Sequence, residues 1–451
     1  TNAPTATMPP LETPGGIVVD SEEKANALAD QFETNHRICD ENDGQIIEEE
    51  IRQYLNIHTA HPQQFEIARP KEIKTYTNTF KNTKSPGPDN IQNILLKNLT
   101  KKGLILLTRL ANQILKQEYF PQAWKAGKTV PIHKTGKPQH LPASYRPITL
   151  LNTMSKTVEK AILTRIKRHL TDHSIIPNSQ YGFRENHSTV HPLCRPIEST
   201  IVNFNQHKHT GVILIDLEKA FDSIWTAGLI YKLIKLKFPT YLINTISSYL
   251  TNRTSYVFTN RGRSTARMVP AGVPQGSILG PVLFNIYIHD LPEQPTTTLL
   301  AYADDITVFA SSRSEKHITR HLQTHLDSIA NYCKQWKLKI SSSKTEAILL
   351  TRRKITGRYK LQLEGRELMW VPHVKYLGVT LERPLKFRRH TSNVALQAKR
   401  IKNILLPLLN KNSPLHADLK LTIYKQLIRP ILTYASASWI TIALANRLKL
   451  Q

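Results

Sequence analysis

"TTTLLAYADDITVFASS", residues 296–312, places two acids, Asp304 and Asp305, inside an apolar run. Tyr302 and Ala303 precede them, and Ile306, Val308 and Phe309 follow. An isolated carboxylate in such surroundings costs on the order of several kcal/mol or gives up its charge. The alternation reads as a β-hairpin whose tip holds Ala303 and Asp304. A second stretch, "GVILIDLEKAFDSIW" at 211–225, is apolar from Val212 to Ile215 and ends in Asp216. A run apolar on both faces is a central strand. A helix is expected after it, with Asp222 or Ser223 as its cap.

If that strand lies beside the hairpin in one sheet, three carboxylates meet. Alone they would repel one another, and at least one would take up a proton. Two divalent cations relieve that repulsion. Mg²⁺ prefers oxygen ligands and commonly takes a few carboxylates together with substrate phosphates. Two such ions roughly 3.5–4 Å apart stabilise both the attacking and the leaving oxygen of an in-line phosphoryl transfer. Either feature alone has a plainer meaning. An Asp-Asp pair in a turn is ordinarily solvated, and an Asp after a strand often caps a helix. The two together favour a site.

The charge points to a polyanion. The 451 residues carry 61 Lys and Arg against 34 Asp and Glu, a net of +27. The first 50 hold 12 acids and two bases, a net of −10, so the other 401 carry +37. A body that basic, with 40% hydrophobic residues for a core, favours nucleic acid over a merely solubilising surface. The three cysteines, Cys39, Cys194 and Cys333, are widely spaced. That argues against a disulfide framework or a zinc knuckle and fits a reducing compartment. No apolar stretch reaches the length of a membrane span, and no secretory signal is visible.

Along the chain, residues 1–20 are rich in Pro and Thr without periodicity, which predicts disorder. Residues 1–69 read as a partly disordered acidic extension with weak helical patterns over 22–55. Basic, structured sequence is expected from Pro70. One or two amphipathic helices are predicted over 91–117, with Leu95, Leu99, Leu104, Leu107, Leu110 and Ile114 on the apolar side. Short β-like pieces fill 127–151, helices 152–170 and 226–250, and a hairpin 253–270. "GVPQGSILGPVLFNIYIHDL" (272–291) is a loop feeding a helix, with Ser277 as N-cap and Pro281 in the first turn. An amphipathic helix follows over 317–338, strands or hairpins over 337–351 and 374–382, and helix over 391–448. Pro192 and Pro196 should interrupt any helix over 188–205. The mixture predicts an α+β fold.

"YADD" at 302–305, "DLEKAF" at 216–221 and "GVPQGSILGPVLFN" at 272–285 resemble the palm motifs of a reverse transcriptase. "SPGPDNI", "YRPITLLNTMSKTVEKAI", "SQYGFRENHST", "SSSKTEAIL" and "YLGVTLE" stand around them in the same order. The wording is similar to that of jockey-like non-LTR retrotransposons, from about Pro70 to about Leu381. Eight ordered motifs are specific, whereas YADD alone is weak. The resemblance implies a right-hand architecture: fingers over 70–211, a palm with an antiparallel sheet over 212–382, and a truncated helical thumb over 383–451. The reverse transcriptase domain proper would span about 115–382.

The resemblance also implies roles. Asp216, Asp304 and Asp305 would hold two Mg²⁺ ions, for which Mn²⁺ can substitute. Lys344 would be the general acid for the departing pyrophosphate, although a solvated lysine is nearly as good a reading. Phe221 would be the steric gate that selects deoxynucleotides. Gln275 and Gly276 would lie against the incoming dNTP, while Arg146 and Lys134 would hold its triphosphate; Lys137 could replace Lys134. Tyr302, Tyr376, Leu377 and Gly378 would meet primer and template. Implied partners are an RNA template, a DNA primer or target DNA, and dNTPs, with an endonuclease upstream in the polyprotein and work in the nucleus. Ser341 stands where the family commonly has Asn. The activity implied is RNA-directed DNA synthesis. A catalytically inactive RNA-binding remnant is the alternative, for which the two prolines speak. An RNA-making polymerase of similar palm is disfavoured by Phe221.

Overall fold

The computed structural model describes residues 8–37, 44–58, 65–355, 359–440 and 442–450. Cys39 lies outside them. The chain divides into two compact units. The first comprises Thr1–Pro177, Glu218–Asp290 and Lys334–Lys339; the second comprises Asn178–Leu217, Leu291–Cys333 and Ile340–Gln451. Helices and sheets are mixed in both, so the fold is α+β.

The first unit begins with a small hairpin, β1 (Leu11–Thr13) and β2 (Gly16–Val18), followed by helix α1 (Ser21–Asn35). The disorder expected for residues 1–20 is therefore corrected for 11–18; residues 1–7 are not among those described. Leu11 is fully buried and joins Leu28, Ala29 and Phe32 of α1 against Tyr145 and Val257. Those partners are remote in sequence, which is why local composition misreads the segment. Asp20 caps α1 through its carboxylate, accepting from the N–H groups of Glu22 and Glu23 at 2.8 and 3.2 Å.

Further helices of this unit are α2 (Gln45–His58), α3 (Pro70–Thr79), α4 (Asn93–Lys97) and α5 (Lys101–Gln117). The predicted amphipathic stretch is thus two helices. Leu107 and Ile114 face the core, while Leu95 on the short α4 stays 58% exposed. Strands β3 (Ala126–His133) and β4 (Tyr145–Leu150) pair antiparallel and lead into α6 (Thr153–Asp172).

The second unit opens with α7 (Val190–Asn205), which runs through both prolines. The predicted interruption is corrected. Pro192 sits in the first turn, where its missing N–H would be unpaired anyway. Pro196 removes one helical bond, but it is buried with Leu193 and Ile197, and its carbonyl accepts from the Thr200 hydroxyl at 2.6 Å. Burial of that face outweighs the lost bond. The helix packs on β5 (His209–Asp216).

Back in the first unit, α8 (Thr226–Lys235) and α9 (Thr240–Leu250) are followed by β6 (Arg253–Val257) and β7 (Arg267–Val269). These strands complete a four-stranded sheet of order β4-β3-β6-β7, in which β3 and β6 are parallel. Helix α1 covers β6 and β7. Helix α10 (Gly280–Tyr287) closes this stretch. The Ser277 hydroxyl accepts from the Gly280 N–H at 2.7 Å, although the formal N-cap is Leu279.

The sheet of the second unit has the order β10-β5-β9-β8, antiparallel throughout. Its other members are β8 (Thr298–Tyr302), β9 (Asp305–Ser312) and β10 (Glu346–Leu350). On one face α11 (Glu315–Gln335) lies so close that a Cβ on Gly211 would meet Ile318 at 2.4 Å. On the other, Leu193, Val212, Phe309 and Ile348 share a core with the hairpin β13 (His373–Tyr376) and β14 (Val379–Glu382). Between β10 and β13 sits a smaller hairpin, β11 (Leu361–Leu363) with β12 (Arg366–Leu368). With both faces covered, the middle of β5 has to be apolar, as it is from Val212 to Ile215. The chain ends in helices from α12 (Arg388–Leu409) onward. No described helix is long and apolar enough to cross a membrane.

Candidate active site

The register of the second sheet assembles the acids. β5 pairs with β9 residue by residue, and the last pair is Asp216 with Asp305. β8 pairs with β9 so that Tyr302 faces Asp305, leaving Ala303 and Asp304 as the turn. Ala303 adopts φ +56°, a left-handed conformation uncommon for a residue with a Cβ. The side-chain oxygen of Gln180 accepts from its N–H at 3.2 Å and from the Gly182 N–H at 2.6 Å. Residues 179–182 also bond to β8 through Tyr181 N–H to Ala301 O and Ala301 N–H to Ser179 O. The "SQYGF" motif therefore braces the acidic turn, a role its sequence did not reveal.

Electrostatically the cluster is strained. Burial of the carboxyl, then the negative charges of Asp304 and Asp216, push Asp305 up to about 6. The residue as a whole still meets solvent, which weakens the energetic weight of that shift. Lys344 Nζ lies 3.0 Å from Asp216 Oδ2, in a pair whose side chains are 62% and 36% exposed. A turn aims the lysine. The Ser341 N–H donates to the Asp216 carbonyl at 2.8 Å, and its own carbonyl accepts from the Lys344 and Thr345 N–H groups. Ser341 does this with its backbone, so serine in place of asparagine leaves the turn intact. Among the described residues, no group of three or more His, Cys, Asp or Glu side chains is placed to hold a metal ion.

Tyr376 and Leu377 are near neighbours of the acids. Tyr376 and Leu377 line one cleft with Asp216, Asp305 and Lys344. The Tyr376 side chain is only 3% exposed, so it is core rather than a free ring, and burial raises its hydroxyl far above the usual tyrosine range. Leu377 and Gly378 form the β13–β14 turn, braced by the Tyr434 hydroxyl, which donates to the Leu377 carbonyl at 3.0 Å. Gly378 is solvent-exposed.

The residues matched to nucleotide binding all belong to the first unit. Phe221 stacks on Phe284 with ring centroids 4.7 Å apart. Arg146 is exposed on β4 opposite Ile132 of β3. Lys134 Nζ donates to the Ala143 carbonyl at 2.8 Å, and Lys137 is exposed in the following turn. The Gln275 carbonyl accepts from the Thr149 N–H at 2.7 Å, binding the loop to β4. Gly276 has φ +120°, and a Cβ there would stand 2.5 Å from the Thr149 carbonyl, so only glycine fits.

Two supports of this loop escaped sequence reasoning. Glu159 on α6 is fully buried and accepts from the Ile278 N–H at 2.8 Å and the Ser155 hydroxyl at 3.0 Å. Its signal was present: Ser155, Glu159, Ile162 and Ile166 form one buried helical stripe in which a glutamate interrupts the apolar face. The other is Asp222. Helix α8 starts at Thr226 with no side-chain cap, so neither Asp222 nor Ser223 has the capping role expected. Both N–H groups instead close a turn on the Lys219 carbonyl.

Comparison with known proteins agrees with the motifs. Residues 132–381 match the family described as reverse transcriptase (RNA-dependent DNA polymerase). The chain is 34% identical to "Probable RNA-directed DNA polymerase from transposon BS" of Drosophila melanogaster, over 98% of this chain and 50% of that protein. It is 35% identical to "Probable RNA-directed DNA polymerase from transposon X-element" of the same species, over 82% of this chain and 41% of the relative. Identity to "RNA-directed DNA polymerase from mobile element jockey", also from D. melanogaster, is 33% over 81% of this chain and 40% of the relative. The chain thus spans half or less of the length of these relatives.

Proposed function

The chain belongs to the reverse transcriptase (RNA-dependent DNA polymerase) family, and from that premise we propose that it is the polymerase portion of a non-LTR retrotransposon protein. It would add dNTPs to a primer 3′-OH on an RNA template, within a fingers, palm and thumb arrangement. The observation that carries the reading is the cross-strand pair of Asp216 and Asp305, with Asp304 in the adjoining turn.

The donor set suits Mg²⁺: a few carboxylate oxygens, mutually repelling, with ligands left for water and phosphate. Bound there, two such ions would supply charge stabilisation to both the attacking and the leaving oxygen. The chain's own residues do the rest. Lys134 and Arg146 grip the triphosphate, the guanidinium by its planar fork. Phe221 crowds a ribose 2′ position. Gln275 and Gly276 form the wall against the nucleotide. The 3′-hydroxyl would lose its proton to solvent as its oxygen bonds to the α-phosphorus and the bond to the bridging oxygen breaks, and Lys344 Nζ would give a proton to the departing pyrophosphate and regain one from solvent. Tyr302 and the Leu377–Gly378 turn lie toward primer and template, whose backbones the basic surface holds without reading sequence. An upstream endonuclease and work in the nucleus belong to the same proposal.

The test is Mg²⁺-dependent extension of oligo(dT) on poly(rA) by the purified protein. Product from wild type and none from Asp304→Asn, with template still bound by both, supports the reading. Wild type that binds template yet extends nothing sinks it and leaves the inactive remnant.

A further inference from the structure

Asp222 is not the helix cap its position suggests, and its surroundings say what it is. The residue is 4% exposed. Its Oδ1 accepts from Gln275 Nε2 at 2.8 Å. Its carbonyl faces His36 Nδ1 at 3.0 Å, and that same nitrogen reaches the Ala271 carbonyl at 3.1 Å. With a carbonyl on either side, Nδ1 must carry the proton. Burial, then the charge of Arg253, hold His36 down to about 4, so it is neutral there. Arg253 is itself buried and donates to the Gly272 carbonyl at 2.7 Å. The Val273 N–H donates to the Phe221 carbonyl at 2.9 Å. Gly272 has φ +81°, and a Cβ on it would stand 2.5 Å from the Asp222 carbonyl. Residues 221–222 and 271–275 are thus clamped together.

One chemical asymmetry gives the clamp a purpose. An ionised carboxylate only accepts, so it dictates which end of the Gln275 amide faces it. Burial raises the Asp222 carboxyl to about 6, with Gln275 and then Arg253 drawing it back, which leaves it ionised at neutral pH and above. Nε2 is thereby committed to Asp222, and Oε1 is left over. Gln275 is only half-buried, so a ligand can reach it.

We infer that Asp222 is a positioning residue that fixes the Gln275 amide so that Oε1 is the atom offered to the incoming nucleotide. This rests on the reading that Gln275 lies against the dNTP. Asp222 touches no substrate and acts through Gln275.

Steady-state extension kinetics with dNTP varied test it. Asp222→Leu, similar in size but with no acceptor, should raise the KM for dNTP about tenfold, as expected for losing a charge-assisted hydrogen bond, with kcat changed less than about threefold. Asp222→Asn, which keeps an acceptor oxygen, should recover most of that loss. On a Gln275→Ala background, Asp222→Leu should add less than about twofold, since no amide is left to orient. If leucine prevents folding, Asp222→Ser, too short to reach the amide, replaces it. A full tenfold effect that persists without Gln275, or an unchanged KM, overturns the inference. If wild type makes no product, the polymerase reading fails, and crystal structures of wild type and Asp222→Leu decide the positioning alone. A displaced Gln275 amide in the variant upholds it, and a retained one overturns it.

Discussion

Two sets of carboxylates sit in the two units under opposite conditions. In the first unit, Glu159 is met by an N–H and a hydroxyl, Asp222 by an amide, and Glu72 by Arg165 and the Tyr76 hydroxyl. Each of these acids, two of them buried and Glu72 partly so, has donors supplied by the chain. In the second unit, Asp305 is set against Asp304 and Asp216, whose charges help push it up to about 6. Acids that hold a fold together are satisfied by it. Acids that repel one another weaken the fold, and Lys344 pairs with only one of these, Asp216, by an exposed contact, which is consistent with the proposal that bound cations complete the set.

The widest separation between the two sets should be in catalysis. Asp304→Asn is expected to lower primer extension on the order of a thousandfold or more, with template affinity by fluorescence anisotropy unchanged. Activity within tenfold of wild type would erase the distinction. The opposite extreme is Arg165, whose side chain is 1% exposed and whose Nη1 lies 2.8 Å from Glu72. Arg165→Ala removes a buried side chain and takes from Glu72, itself 23% exposed, its cationic partner, and should cost about 2–3 kcal/mol in urea unfolding, while the folded fraction keeps its turnover. A loss under about 1 kcal/mol would place this pair among the decorative ones.

Lys344 sharpens the contrast on one side chain. Because its ion pair with Asp216 is exposed, Lys344→Met should change stability by less than about 1 kcal/mol yet lower kcat about 10- to 100-fold. Equal kcat in the two proteins would reduce it to a surface lysine. The smallest effect is a gain. Asp305 moves from 3.8 in the unfolded chain to about 6 in the folded one, so the folded state binds the proton more tightly. Its contribution therefore favours folding below about pH 4 and is lost as the pH rises through about 6. In metal-free protein, Asp305→Asn should be more stable than wild type at pH 8, by no more than about 1 kcal/mol after solvent screening, and no more stable at pH 4. Melting curves at the two pH values check this; a less stable variant at pH 8 contradicts it.

Half of the acidic site was legible in local pattern. A continuous apolar run must be covered on both faces, and a two-residue tip between alternating runs must be a hairpin, so Asp216 could be placed at a strand end and Asp304 and Asp305 at a turn; that strand and hairpin are neighbours was implied by the family resemblance and is seen in the register of β5 with β9. What was illegible depended on partners distant along the chain. Nothing near Leu11 announces Tyr145 or Val257, so the hairpin at 11–18 read as disordered. Nothing near Pro196 announces the sheet that keeps α7 helical. Asp222 looked like a cap because the sequence shows the helix ahead of it but not Gln275, to which it is bonded.

The layer made by residues 11–36 has a practical corollary. The match to the family's shared domain begins at residue 132, although one relative aligns with 98% of the chain; β3 already starts at Ala126, and its sheet is roofed by α1 from the far N-terminal end. A polypeptide trimmed to the recognisable stretch would lose that roof, wet the apolar side of Val257 and Tyr145, and release the His36 peg from beneath Asp222. Such a fragment should clump on expression, because the edges of the shared domain are not the edges of a self-sufficient folding piece.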